Sequence, residues 1–136
     1  MATIKISDLS VGDWVQDGNG IIAKVRGIEN WSNGYILNVQ TVSGSICTLS
    51  VTGALPIPIT AEILEKNGFG KKTFTQDQLF RIVEPNGNIP FIGYRWDSER
   101  VIIERSNDYM LRVKAKYIHQ LQHALRIAGV DKEINL

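Results

Sequence analysis

Turn-forming residues interrupt the first 58 residues so often that only short strands fit between them. The sequence DGNG at 17–20 and the triplet SGS at 43–45 contain residues that tolerate positive φ angles and favour hairpins. Between these turns, Tyr35, Leu37 and Val39 alternate with polar residues, which is the period of a strand with one solvated face. The pattern predicts four or five short antiparallel strands, which form a bent sheet or a small SH3-like barrel.

A short helix is predicted in the middle of the chain, where both of its ends are specified by sequence. Thr60 is a favourable N-cap, and the prolines at 56 and 58 favour extended backbone before it. Gly68 stands where a residue in the left-handed conformation closes a helix. We therefore predict a helix at 61–67.

Strand patterns return after residue 78, and a second helix follows them. Four apolar segments at 79–83, 89–96, 101–105 and 109–113 are separated by turn sequences, which predicts an antiparallel meander. We predict a C-terminal helix at 115–128. Its inward stripe is predicted to consist of Ile118, Leu121, Leu125 and Ala128. Its solvated face is predicted to consist of His119, Gln122, His123 and Arg126.

Length and composition predict one soluble domain of the α+β class. A chain of 136 residues has the usual size of a single domain. We expect a β-rich front half at 1–58, and a back half at 59–136 with the middle helix, the meander and the C-terminal helix. Apolar residues make up 43% and charged residues 21% of the chain, which excludes an intrinsically disordered protein.

The predicted location is the cytoplasm. Cys47 is the single cysteine, so no intrachain disulfide can form, which favours a reducing compartment. Residues 1–10 lack the pattern of a secretion signal. No apolar segment of the sequence has the length of a membrane span, and we expect no membrane partner.

Three segments resemble small uncharacterised proteins of bacterial prophages and other mobile elements. They are VGDWV at 11–15, LPIPITAEILEKNGF at 55–69 and KYIHQLQHAL at 116–125. Proteins of that group typically open with a Gly-Asn/Asp-aromatic-Val segment and carry similar helix sequences in the middle and at the end. The resemblance implies a role in phage or mobile-element biology. It assigns no site residue, because the group has no known activity.

The residue pattern does not indicate an active site. His119 and His123 are spaced so that both could reach one metal ion from a helix, but no third ligand is suggested. We interpret Cys47 as a buried strand residue rather than a nucleophile. The glycines at 17–20 lack the Lys-Ser/Thr of a phosphate-binding loop. We predict no catalytic residue, metal ligand or cofactor, although an enzyme whose groups converge from distant positions stays open.

The first of two predicted functions is a non-catalytic structural or protein-interaction module. Its partner would be another protein or a second copy of the chain. An apolar contact could be formed by Trp31 or by the C-terminal residues 134–136.

The alternative is a nucleic-acid-binding accessory protein. Small barrels bind single strands with basic side chains and exposed aromatic rings. The front sheet offers Lys24, Arg26, Trp31 and Tyr35 for this purpose. Further charge could come from Lys71, Lys72 or Arg95. The net charge of +1 is far from the strongly basic balance of most nucleic-acid-binding domains.

Overall fold

The computed structural model describes residues 4–32, 34–72, 79–82, 91–95, 98–105, 109–127, 129 and 133–136. The chain divides into two compact units, Met1–Pro58 and Ile59–Leu136. Each unit contains one antiparallel sheet, and helices are few, so the α+β class is confirmed. Within the described residues neither sheet closes on itself.

The front unit consists of a four-stranded sheet with the strands in chain order. The strands are β1 (Trp14–Gln16), β2 (Ile22–Trp31), β3 (Gly34–Thr41) and β4 (Ile46–Ser50). Alternate residues of the strands turn to one side of the sheet and form a buried core, which includes Val15, Ala23, Val25, Leu37 and Val39. The turn sequences of the front half therefore separate strands as predicted.

The edge of β1 is covered by the chain itself. After β4, a 3₁₀ turn at Val51–Gly53 leads the backbone back to the first strand. The N–H of Gln16 donates to the carbonyl oxygen of Leu55 at 3.0 Å, and the N–H of Leu55 donates to that of Gln16 at 2.8 Å. The side-chain amide of Gln16 also donates to the carbonyl oxygen of Pro56 at 2.9 Å. The backbone groups of Gln16 at this edge of the front sheet are thereby satisfied internally.

Strands β2 and β3 form a long antiparallel hairpin. The two strands remain paired as far as Trp31 and Gly34. Gly34 adopts a φ angle of 128°, which is accessible to glycine and strained for other residues. A register shift between Val25 and Gly27 leaves Arg26 as the extra residue of a bulge.

The back unit combines two helices with a five-stranded sheet. Its elements are α1 (Ala61–Lys66), β5 (Phe69–Lys72), β6 (Leu79–Ile82), β7 (Phe91–Arg95), β8 (Arg100–Arg105), β9 (Tyr109–Lys114) and α2 (Ile118–Ile127). The strands lie in the order β5-β6-β7-β8-β9 and all pairs are antiparallel. The predicted meander is present, and β5 is an additional strand that was not predicted from the sequence.

The local signals for α1 are confirmed. The side-chain oxygen of Thr60 accepts a hydrogen bond from the N–H of Ile63 at 3.2 Å, as an N-cap residue does. Gly68 follows the helix with a φ angle of 87°. Leu64 and Phe69 are both buried, which agrees with the apolar contact typical of this helix ending.

Helix α2 begins three residues later than predicted and buries a wider face. The side-chain oxygen of Gln120 accepts hydrogen bonds from the N–H groups of Lys116 and Tyr117, so these residues precede the helix. The stripe of Ile118, Leu121 and Leu125 is buried. His119 and Gln122 are also buried, so the prediction of a solvated face for them was wrong. Ala128 lies outside the described residues.

The C-terminal residues belong to the core of the back unit. Ile134 is only 1% exposed. Asn67 binds the neighbouring backbone at both ends of its amide: it accepts from the N–H of Asn135 at 2.7 Å and donates to the carbonyl oxygen of Asn135 at 2.8 Å. The prediction that residues 134–136 form an exposed apolar contact is therefore wrong for Ile134.

Trp14 is buried, and Trp96 lies outside the described residues. No helix among the described residues is long and apolar enough to cross a membrane.

Candidate functional site

The outer face of the front sheet, which points away from its buried core, carries three of the four predicted site residues. Residues paired across antiparallel strands project to the same side of a sheet. One such row across the four strands is Trp14, Lys24, Gln40 and Ile46. Because this row alternates with the buried row of Val39 and its neighbours, it belongs to the outer face.

The two predicted cations on this face are engaged with neighbouring side chains. The Nζ of Lys24 lies 5.3 Å from the ring centroid of Trp14, within the range of a cation–π interaction. The Nε of Arg26 donates to the side-chain oxygen of Gln40 at 2.9 Å. Arg26 follows Lys24 by two residues, so its guanidinium projects to the same outer face. The bulge at Arg26 then changes the alternation, so that Trp31 also lies on this face.

Trp31 is the most prominent aromatic residue of the outer face. Its side chain is 60% exposed, and its indole N–H donates to a carboxylate oxygen of Glu29 at 2.9 Å. The other carboxylate oxygen of Glu29 accepts from the side-chain amide of Asn38 at 3.1 Å. The hydrogen bonds from Trp31 and then from Asn38 lower the pKa of Glu29, because they stabilise its ionised form. The ring is thus held beside a negative charge.

Tyr35 is separated from the other predicted residues. It pairs with Asn30 and shares the alternation of Leu37 and Val39, so it projects on the side of the sheet opposite Trp31. The outer face therefore combines Lys24, Arg26 and Trp31 with the carboxylate of Glu29. This carboxylate was not predicted as a site residue, because only the strand register shows that it lies beside the tryptophan.

Strand β4 forms the uncovered edge of the front sheet, and the sequence analysis did not predict its role. Ile46 is 78% exposed, and Cys47, Thr48 and Ser50 are exposed as well. The prediction of a buried Cys47 was wrong, because a strand with a neighbour on one side only leaves its inward positions partly open. Among the described residues, β4 pairs with β3 alone.

The phase of the hairpin determines which backbone groups of β4 face outward. The N–H of Thr41 donates to the carbonyl oxygen of Ser45, so the hydrogen-bonded pairs with β3 continue at Cys47 and Leu49. The N–H and carbonyl groups of Ile46, Thr48 and Ser50 consequently point away from the sheet. This edge can accept another strand.

The histidine pair of α2 does not form a metal site with other described residues. The ring of His119 stacks on Tyr117 with a centroid distance of 6.1 Å and meets His123 edge-on at 5.9 Å. Within the described part of the chain, no group of three or more His, Cys, Asp or Glu side chains could hold a metal ion. These contacts give His119 a packing role in the back unit.

Comparisons of the chain with protein-family models, with curated proteins and with solved structures found no match.

Proposed function

We propose that the chain is a non-catalytic protein-interaction module that joins a second copy of itself through the edge of β4. The observation that carries this proposal is the contrast between the two edges of the front sheet. The edge of β1 is covered by Leu55, whereas β4 is exposed. Proteins usually protect an exposed edge with charged residues, proline or a bulge. The sequence of β4, ICTLS, has none of these residues, and its pairing with β3 is regular.

The second copy is the proposed partner because β4 is self-complementary about Thr48. Antiparallel pairing centred on this residue places Thr48 opposite Thr48 of the second copy and Ile46 opposite Ser50. Each of these residues has its backbone groups facing outward, so each pair can exchange both hydrogen bonds. Cys47 and Leu49 then meet on the other side of the joined sheets.

The charge balance also permits this pairing. No charged residue lies within β4, so the two strands bring no like charges together. The net charge of the whole chain is only +1, and long-range repulsion between two copies is small. The exposed side chain of Ile46 loses contact with water in the joined sheet, which favours association.

Disulfide trapping tests both the dimer and its register. The variant Thr48→Cys in a Cys47→Ser background places the two new thiols on directly opposed residues, whose Cα atoms are about 5.5 Å apart in a hydrogen-bonded pair. This distance permits a disulfide. We expect a covalent dimer under mild oxidation and its loss with a reducing agent.

The matched control is Ile46→Cys in the same background. In the proposed register the two Ile46 positions are four residues apart along the strands, roughly 13 Å, so this more exposed thiol should not form the dimer. Equal trapping of both variants would indicate random collision, and trapping of neither would contradict the proposed dimer.

We further propose that the front unit is an SH3-like barrel. Three features support it: the strongly paired β2-β3-β4 meander, the 3₁₀ turn at Val51–Gly53, and the return of Leu55 to the edge of β1. Interproton contacts measured by NMR across the buried core between β1 and β4 would support a barrel that curls round and leaves the outer backbone edge of β4 open. A lack of such contacts would favour an open sheet.

The proposed biological setting is the cytoplasm of a bacterial host during phage or mobile-element activity. It rests on the resemblance of the three sequence segments and on the single cysteine. The genes that neighbour this one test it: phage structural or integration genes would support the setting, and a conserved housekeeping operon would argue against it.

Nucleic-acid binding by the outer face is the second candidate function. Lys24, Arg26 and Trp31 share this face, which suits a base stacked on the indole and a backbone held by the cations. The ionised Glu29 beside Trp31 opposes a phosphate backbone. For this reason the interaction module is the preferred proposal.

A mobility-shift titration at low salt separates the two candidates. Binding by the outer face predicts a shift that weakens steeply with salt and is reduced by Lys24→Glu together with Arg26→Glu. The control Lys5→Glu together with Lys66→Glu removes the same charge elsewhere and should retain the shift. If wild type shifts neither DNA nor RNA, the nucleic-acid candidate is excluded.

A further inference from the structure

A cavity on the back sheet is lined mainly by arginines. It has a volume of about 210 Å³ and is lined by Arg95, Ser98, Arg100, Ile102 and Arg112. None of the described lining residues carries a carboxylate. The cavity therefore combines three permanent positive charges with one hydroxyl group and an apolar residue.

The strand register explains why these cations converge. Arg95 pairs with Arg100, and Arg100 pairs with Lys114 on its other side. Arg112 pairs with Ile102, two residues further along the same two strands. Paired residues project to the same side of a sheet, and the alternating residues Tyr94 and Val101 are buried on the opposite side.

This arrangement brings like charges together on neighbouring strands. Like charges placed directly opposite each other on neighbouring strands destabilise a sheet, and here two such pairs share Arg100. Ile102 is buried beneath this cationic face, which is consistent with coverage by the apolar stems of long side chains. A bound anion would offset the repulsion between the guanidinium groups.

We propose that the arginine cavity binds a terminal phosphate group of a small molecule. The planar guanidinium forms paired hydrogen bonds with phosphate oxygens, and three of them around one cavity suit a single dianion. A nucleic-acid backbone would instead require cations spread along a line. This inference goes beyond the proposed interaction role and does not depend on it, since the cavity and β4 lie in different units.

Thermal unfolding in the presence of inorganic phosphate tests the cavity. At constant ionic strength, with chloride replaced by phosphate, the unfolding midpoint should rise by roughly 4 °C when phosphate is at ten times its dissociation constant. The variant Arg100→Gln together with Arg112→Gln should lose this rise. Without phosphate this variant should unfold at or above the midpoint of wild type, because it lacks the like-charge pairs, and this shows that it is folded.

The matched control is Lys66→Gln together with Lys116→Gln. It removes the same charge from exposed positions of the back unit and should keep the response of wild type. An equal loss in both variants, or no response of wild type to phosphate, would overturn the proposal.

A second measurement distinguishes the source of the phosphate. Calorimetric titration with a dinucleotide that carries a 5′-phosphate should show binding, and the same dinucleotide without the terminal phosphate should bind at least tenfold more weakly. Equal binding of the two dinucleotides would contradict a site for a terminal phosphate and would favour recognition of the nucleic-acid backbone.

Discussion

Tyr94 and Asn67 are buried polar residues that connect distant segments of the back unit. The hydroxyl group of Tyr94 donates to the carbonyl oxygen of Ala115 at 2.8 Å. Asn67 binds the backbone of Asn135 and also donates to the carbonyl oxygen of Ile63. A buried polar group that loses its hydrogen-bond partner lowers the free energy of unfolding. These two side chains therefore specify how the segments meet and also stabilise the contact between them.

Tyr94→Phe should change the dependence of stability on alkaline pH. Burial, and to a lesser extent the charge of Glu99, raises the pKa of Tyr94 to about 12. The folded state therefore favours the neutral phenol. This preference contributes fully to the free energy of unfolding below the unfolded pKa near 10, and the contribution is lost as pH rises towards 12. At pH 7 the variant should lose about 1 kcal/mol with the hydrogen bond.

Urea denaturation at several pH values checks this prediction. The difference in unfolding free energy between wild type and Tyr94→Phe should narrow between pH 10 and pH 12. A constant difference over that interval would show that the ionisation of Tyr94 is not coupled to folding.

Ile134→Ala should destabilise the protein although it lies two positions from the last residue of the sequence. The side chain is almost fully buried, and its truncation is expected to cost about 2–4 kcal/mol in unfolding free energy. Ile127, which is 71% exposed, provides a control of the same residue type: Ile127→Ala should change stability by no more than about 0.5 kcal/mol. Similar urea midpoints for the two variants would contradict the burial of the C-terminal segment.

Residues whose surroundings are local were predicted from sequence, and residues whose burial depends on distant segments were not. The roles of Thr60 and Gly68 at the two ends of α1 depend on that helix alone, and both predictions are confirmed. His119 and Cys47 were assigned to the wrong environment, because the covering of a helix face or of a strand edge depends on elements far away in sequence. Lys24, Arg26 and Trp31 share a face, which alternation alone could not show across the bulge at Arg26.

At the scale of elements, the stability of α1 depends on its N-cap residue, Thr60. Thr60→Ala removes the acceptor for the N–H of Ile63 and should cost about 1 kcal/mol of unfolding free energy, measured by urea denaturation. Thr60→Ser retains the oxygen and should lie close to wild type. If the serine variant loses as much as the alanine variant, the cap makes no contribution through its hydrogen bond.

The strands show which elements can be predicted from sequence patterns and which cannot. Alternation and turn residues predicted four or five short strands for the front half, and its sheet has four. Strand β5 was missed, because its short sequence of Phe69–Lys72 has no alternation of its own and is defined by pairing with β6. The order of strands, which makes β4 an uncovered edge, is a property of the folded sheet and could not be obtained from the pattern.

At the scale of the whole molecule, each unit presents one surface with a distinct proposed partner. The front unit offers the uncharged edge of β4 to a second copy, and the back unit offers the arginine cavity to a phosphate group. Joining two copies through β4 would create one continuous sheet of eight strands from two front sheets of four. The resulting dimer would carry two arginine cavities, one from each chain.

Sedimentation velocity over a range of protein concentrations tests the β4 interface most directly. Wild type should show a concentration-dependent conversion of monomer into dimer. Thr48→Lys should remain monomeric, because it places two like-charged side chains on directly opposed residues, whose Cα atoms are about 5.5 Å apart, at the centre of the joined sheets. Ile21→Lys, at another exposed position of the front unit, should dimerise as wild type does. A wild-type protein that stays monomeric at every concentration, or a Thr48→Lys variant that still dimerises, would contradict the account.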